Sequence, residues 1–393
     1  MLPEAAFDQE INSFIKKYHE ADLSQILLKR PGKKEWDWIW IGQQIEGYQK
    51  AKKKIPSIAA NSQIIYPKRV SIQQCSSDLT ANFKATILKG KKCLDLSGGF
   101  GIDTIHLSHK FDSCIYIEQD EQLCEIMTHN AKVLGLEKKI EIRNTKAETF
   151  LKETEEQFDL IYIDPARRDT QGKKVYRFSD CSPDVIMHLD LLRRKSKKVL
   201  VKAAPMLDIS QGVRELQYVQ EVFVLANSRE CKELLFLLGT EQNNNPSITA
   251  IQLDTEKSFS FFADEEILMD AKLSINGSYL YNPGPSISKS GGYKSLAKSF
   301  DLSIANPNTH LFFSNEIRKD FPGRVYKINM MIKYGERYKF GNKKSTVFLK
   351  NVNLEKKDIL RKYNLKEGDE QFIFAFTASN GKILLAHCDK IGL

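Results

Sequence analysis

Three short stretches of the sequence carry the side chains best suited to chemistry. The first, CLDLSGGFGIDT, is an apolar run that ends in Asp95 and passes through Ser97, Gly98, Gly99 and Gly101 into a helix-like IDTIHLSHKF. Glycines let a backbone turn sharply and come close to a ligand. The start of the following helix offers unpaired N–H groups and positive dipole character to an anion. The second, CIYIEQD, ends its apolar run at Glu118, seventeen residues past Gly101. The third, FDLIYIDPARRD, ends in Asp164, Pro165, Ala166 and Arg167. An acid at the end of a strand can accept hydrogen bonds from a ligand or simply cap the turn that follows.

The surrounding pattern supplies the elements that position these residues. Between residues 91 and 253, short apolar runs at 93–96, 114–117, 140–142, 160–163, 199–201, 221–225 and 234–238 alternate with helix-like segments such as 122–135 and 183–195. This alternation predicts a parallel sheet covered on both faces. All three stretches then fall at carboxyl ends of strands, where open α/β folds bind ligands. The polar QNNNP at 242–246 predicts a hairpin between 234–238 and 247–253. Residues 1–60 read as helical, with Phe7, Ile11, Phe14, Ile15 and Tyr18 forming an apolar stripe. Trp36, Trp38 and Trp40 alternate as in a strand, yet fit a packed helix equally well. The lysine run at 50–54 reads as a solvated helix end stopped by Pro56. Residues 279–292, YLYNPGPSISKSGG, read as turns. Strand-like runs at 324–328, 345–350, 372–377 and 382–387 surround a basic helix at 354–363, a small α+β domain. The expected organisation is a helical region over 1–60, a catalytic domain over 61–265, a connecting segment over 266–322 and a last domain over 323–393.

Composition narrows the function classes. The chain has 393 residues, 41% of them hydrophobic and 28% charged, which excludes a largely disordered or fibrous protein. The excess of 59 Lys+Arg over 50 Asp+Glu, a net charge of +9, permits a polyanionic partner or serves solubility alone. Seven cysteines without a CxxC pair argue against a disulfide scaffold, and no His/Cys cluster has zinc spacing, so no metal is expected. The N-terminus lacks a basic start followed by an apolar run, and no stretch approaches 18 apolar residues, so a cytoplasmic protein without a membrane span is expected. Nothing in the sequence fixes an oligomeric state.

A dinucleotide site would need G-x-G-x-x-G; Gly99 and Gly101 fit, but Thr104 holds the third position and Asp95 is foreign to that fingerprint. The pattern D-L-x-G-G-x-G instead resembles motif I of class I S-adenosylmethionine (SAM)-dependent methyltransferases. That resemblance implies SAM as cofactor, with Asp95, Ser97, Gly98, Gly99 and Gly101 around its methionine end and Glu118 on both ribose hydroxyls. It places Ala147 and Glu148 of IEIRNTKAETF at adenine. Within QQCSSDLTANFKA, Cys75, Ser76, Ser77 and Thr80 are candidates to fold over the methionine part; Ser77 or Asp78 serves equally well as a plain helix cap.

The DPAR stretch resembles motif IV, D/N-P-P-Y/F, of methyltransferases acting on base amino groups, with Ala166 and Arg167 replacing the second proline and the aromatic. Asp164 and the Pro165 carbonyl would orient the acceptor. Arg167, Arg168, Lys173, Lys174, Tyr176 and Arg177 form a basic, aromatic-interleaved loop suited to a nucleic-acid backbone, or an ordinary solvated loop. Tyr176 and Phe178 are candidates for base stacking. Cys181 reads as a packed or idle thiol. Lys202 and Pro205 either line the cleft or end a strand.

Together with YLYNPGPSISKSGG and FPGRVY, these motifs resemble a bacterial group typical of Bacteroidetes: class I methyltransferases with a ferredoxin-like segment and a C-terminal THUMP-like domain. The resemblance implies an α/β protein built on a Rossmann-like sheet, with an N-terminal helical region and a small C-terminal α+β domain. An RNA substrate is expected. The alternatives are an RNA-binding protein with a degenerate methyltransferase domain and a methyltransferase of small molecules or proteins. The basic stretches 337–350 and 356–366, with Tyr338, Phe340 and Tyr363 among them, suit RNA or form a solvated face.

Overall fold

The computed structural model describes residues 2–167, 177–341 and 344–392, apart from the side chains of Arg167 and Asp180. The N-terminal residues fold as helices. In α1 (Gln9–Tyr18), Ile11 and Phe14 are buried and the Asp8 carboxylate accepts from the Ile11 N–H. After α2 (Leu23–Lys29), Asp37 caps α3 (Trp38–Lys54), so Trp38 and Trp40 are helical despite their alternate spacing. Pro56 does more than stop α3: it is the first residue of α4 (Pro56–Ala59), where a missing N–H costs nothing. Then come α5 (Arg69–Gln74) and α6 (Asp78–Ile87).

The chain forms two compact units, Met1–Gln220 with Leu235–Asn243, and Glu221–Leu234 with Asn244–Leu393. The first is an α/β unit. Its elements after α6 are β1 (Gly90–Asp95), α7 (Ile102–Leu107), β2 (Phe111–Glu118), α8 (Glu121–Val133), β3 (Ile140–Asn144), α9 (Ala147–Glu153) and β4 (Phe158–Ile163). There follow β5 (Ala166–Arg167), β6 (Cys181–Ser182), α10 (Leu189–Lys195), β7 (Ser196–Ala203) and α11 (Ile209–Leu216). Strands β3-β2-β1-β4-β7 lie in that order and are all parallel. Leu94, Ile115, Ile161 and Val199 are each at most 1% exposed, as expected where both faces of a sheet are covered. The chain progresses outward from β1 to β3 and then crosses back to β4, so the order reverses between β1 and β4. That reversal opens the crevice in which such folds bind ligands. The expected helix over 183–195 forms only from Leu189; the residues before it turn, with the Asp184 carboxylate accepting from the Met187 N–H at 2.9 Å.

The next strands are β8 (Val219–Ala226), β9 (Cys231–Leu238), β10 (Ser247–Gln252) and β11 (Lys257–Phe262). Within the second unit, residues 221–226 run parallel to β10, and β11 pairs antiparallel with its other edge. Both edges of β10 are therefore taken, and the hairpin expected between 234–238 and 247–253 does not form. The remaining elements are α12 (Ala263–Leu268), β12 (Tyr279–Pro283), α13 (Pro285–Ser290), α14 (Tyr293–Ser299), β13 (Ser303–Ile304) and β14 (Phe312–Ser314). The chain ends with β15 (Gly323–Lys333), β16 (Ser345–Lys350), α15 (Lys356–Lys362), β17 (Gln371–Thr377) and β18 (Ile383–Lys390). One mostly antiparallel sheet holds β13-β14-β12-β15-β18-β17-β16.

The stretch 279–292, read as turns, is instead an inner strand and a helix. Its prolines sit at the end of β12 and the first position of α13, where each is harmless. Of the aromatic residues read as suiting RNA in this unit, Phe340 belongs to the core, while Tyr338 and Tyr363 are half-buried beside it. Phe340 is 4% exposed, and its ring meets those of Tyr338 and Tyr363 at 4.7 and 5.2 Å. Among the described residues, no helix is long and apolar enough to cross a membrane.

Candidate cofactor and acceptor site

Asp95, the last residue of β1, is 1% exposed and spends its carboxylate inside the loop that follows it. Oδ1 accepts from the Ser97 N–H at 2.9 Å and the Ser97 hydroxyl at 3.2 Å, and Oδ2 accepts from the Thr104 hydroxyl at 2.5 Å. Thr104, which broke the dinucleotide fingerprint, is thus a brace for Asp95. Burial pushes the Asp95 carboxyl up to about 7, against the pull of Thr104 and Ser97.

The glycines are required by close approach and backbone shape. A Cβ on Gly98 would stand 2.3 Å from the ring of Tyr116. Gly99 and Gly101 have φ of +54° and +81°, a region disfavoured for other residues. The Gly99 N–H donates to Glu118 Oε2 at 2.9 Å, and Glu118 Oε1 accepts from the Asp120 N–H at 2.9 Å. The acid at the end of β2 is therefore fixed against the glycine loop. A Cβ on Gly99 would meet only the Ser97 carbonyl at 3.8 Å, so that side of the loop is open. Ala147 and Glu148, which begin α9, line a pocket of about 190 Å³, part of it open solvent, with apolar Leu96, Leu151 and Ile163 and polar Asp184 and His188.

Asp164 follows β4. Its N–H donates to Ser97 Oγ at 2.7 Å, and its carboxylate accepts from Lys202 Nζ on β7 at 2.6 Å. The two side chains of that ion pair are 36% and 13% exposed. Ser97 thus joins the glycine loop to the DPAR stretch. Beyond Pro165, Ala166 and Arg167 pair antiparallel with Ser182 and Cys181, which holds together the two ends of the basic segment. Arg168, Lys173, Lys174 and Tyr176 lie outside the described residues, as does the Arg167 side chain. Arg177 is exposed. Phe178 is not available for stacking on a base: it is 2% exposed, with its ring against Phe236 at 5.6 Å.

Ser77 is the cap of α6, in a reciprocal capping box with Thr80. Ser76 belongs to a buried ionic cluster. Lys84 Nζ lies 2.9 Å from Asp103 Oδ1 and donates to Ser76 Oγ at 2.7 Å. The hydroxyls of Ser76 and Tyr162 donate to Asp103 Oδ2 at 2.8 and 2.9 Å. Burial alone would raise the Asp103 carboxyl, but the Lys84 and Lys202 ammoniums hold it below its ordinary value. The motifs did not reveal Lys84, Asp103 or Tyr162, nor the pairing of Lys202 with Asp164. A signal was present: Lys84 shares a helix face with Thr80, Ala81 and Ala85, all buried, and a lysine within such a stripe requires an anion.

Residues 62–178 match the family model described as conserved hypothetical protein 95, and residues 279–322 match that of a ferredoxin-like domain. No curated protein matches the chain in sequence. Among solved structures, a Porphyromonas gingivalis W83 protein described as a putative methyltransferase is 27% identical, with a TM-score of 0.84 and 100% of both chains covered. TrmK from M. capricolum, solved with S-adenosylhomocysteine, is 12% identical over 42% of this chain and 68% of its own, with a TM-score of 0.33. An rRNA methylase from Streptococcus thermophilus is 16% identical over 42% of this chain and 95% of its own, with a TM-score of 0.31. The last two likenesses are too slight to bear on function. Together with the motifs and the sheet order, the full-length likeness marks the chain as a SAM-dependent methyltransferase, with SAM as its cofactor and a ferredoxin-like domain at residues 279–322.

Proposed function

We propose that the chain methylates RNA at an amino nitrogen of a base, using SAM. The observation that carries this reading is the junction at Ser97, whose hydroxyl donates to Asp95 and accepts from the Asp164 N–H. It sets the acceptor-side acid beside the glycine loop. The backbone of Gly98, Gly99 and Gly101 receives the methionine end, Glu118 takes the ribose hydroxyls, and Ala147 and Glu148 line the adenine pocket. Asp95 and Ser97 hold the loop in shape, and Ser76 and Ser77 fix the segment before it. Bound SAM supplies a methyl group on a cationic sulfur. The Asp164 carboxylate and the Pro165 carbonyl accept hydrogen bonds from the amine and turn its lone pair toward that methyl, so orientation does most of the work. As the N–C bond forms and the S–C bond breaks, the amine's surplus proton leaves to solvent. Arg167, Arg168, Lys173, Lys174, Tyr176 and Arg177 hold the RNA backbone and neighbouring base.

The test is transfer of labelled methyl from SAM to unfractionated RNA, followed by digestion to nucleosides and mass spectrometry. Label on an exocyclic amine is the expected result. Label appearing only on protein or small molecules would remove RNA as the substrate.

A further inference from the structure

We propose that Lys202 determines acceptor specificity with Asp164, the two reading an amino group together with the lone pair next to it. This rests on the reading of Asp164 as the acceptor-side acid. Strands β4 and β7 are parallel neighbours with Ile163 opposite Val201, so Asp164 and Lys202 come next in register at the carboxyl edge of the sheet. Their charged atoms are 2.6 Å apart.

An acceptor oxygen beside a donor nitrogen is the pattern a carboxamide presents, and carboxamides read adenine by taking its amino hydrogen while donating to a ring nitrogen. Asp164 alone would accept from any amine, ammonium or hydroxyl. The ammonium, with its three donors, adds two conditions. It requires a lone pair adjacent to the amine, as adenine and cytosine have, and it repels a protonated amine such as a lysine side chain. Uracil and hypoxanthine lack the amino group and would leave Asp164 unmatched, and a site built to hydrogen-bond a group rejects analogues lacking it.

The test uses the full chain loaded with S-adenosylhomocysteine and four RNA homopolymers of equal length, poly(A), poly(I), poly(C) and poly(U), in filter binding. Phosphate contacts are common to all four and cancel in the ratios A/I and C/U. The wild type should favour poly(A) over poly(I) and poly(C) over poly(U) by about tenfold, the discrimination of one two-point contact. Lys202→Met should bring both ratios close to one, and Lys202→Arg, which keeps a cationic donor, should retain part of them. Because each ratio is taken within one protein, a loss of active fraction does not move it. Wild-type ratios of one, or ratios unchanged in Lys202→Met, would overturn the proposal while leaving RNA binding intact. Failure to bind any of the four would overturn the RNA reading itself and this inference with it.

Discussion

The hydroxyl of Tyr116 donates to the carbonyl of Gly99 at 2.6 Å, and its ring occupies the volume where a side chain on Gly98 would stand. A residue in the middle of β2 thereby shapes the loop after β1. Gly98→Ala places a methyl 2.3 Å from that ring, which is fully buried and has no room to retreat. The expected cost is about 1–3 kcal/mol of stability, typical of overpacking, with a fall in SAM affinity. Denaturant unfolding and calorimetry read both. Tyr116→Phe keeps the ring and removes one hydrogen bond, so it should cost only about 1 kcal/mol.

Glu118→Ala removes the carboxylate that fixes the Gly99 and Asp120 amides and would meet the ribose. A charged hydrogen bond contributes about 1.5–3 kcal/mol, so SAM affinity should fall by at least tenfold. Calorimetry showing wild-type affinity would take Glu118 out of the site.

The strands of the first unit were legible because buried parallel strands are continuous apolar runs, and Asp95, Glu118 and Asp164 were legible because each ends one. The glycine loop announced itself by composition. The ionic cluster was not legible as a site, because Lys84, Asp103 and Tyr162 come from three elements whose meeting depends on the tertiary packing. β12 was misread because Asn-Pro-Gly-Pro is turn chemistry, whereas here both prolines fall where no N–H is needed. Phe340 and Phe178 were read as candidates for nucleic acid but are buried; sequence alone does not separate an exposed aromatic among lysines from a core one.

The raised carboxyl of Asp95 gives stability a pH signature. Its folded pKa of about 7 lies above its ordinary value of 3.8. Between those values the folded state holds a proton that the unfolded state has lost, so its contribution falls as pH rises from about 4 to 7 and levels off above that. Asp95→Asn should remove that slope. Urea unfolding of both proteins at several pH values checks it, and parallel profiles would mean that Asp95 is ionised in the fold.

Lys84→Met takes away the ammonium at 2.9 Å from the buried Asp103 carboxylate and leaves Lys202 to hold its carboxyl down. Breaking one side of a buried pair typically costs about 3–5 kcal/mol, and the Asp103 carboxyl should then titrate higher. The variant should therefore be much less stable at neutral pH and regain part of the difference on acidification. A uniform loss at all pH values would mean that Lys84 acts through packing alone.

The proposed function requires that Asp164 face the acceptor and not the cofactor. It is tested most directly by measuring SAM affinity and methyl transfer to RNA side by side in Asp164→Ala. Loss of one oriented charge contact should lower transfer by about 10²–10³-fold, with SAM affinity kept within about tenfold. Transfer at a near wild-type rate, or SAM binding lost together with transfer, would contradict the account.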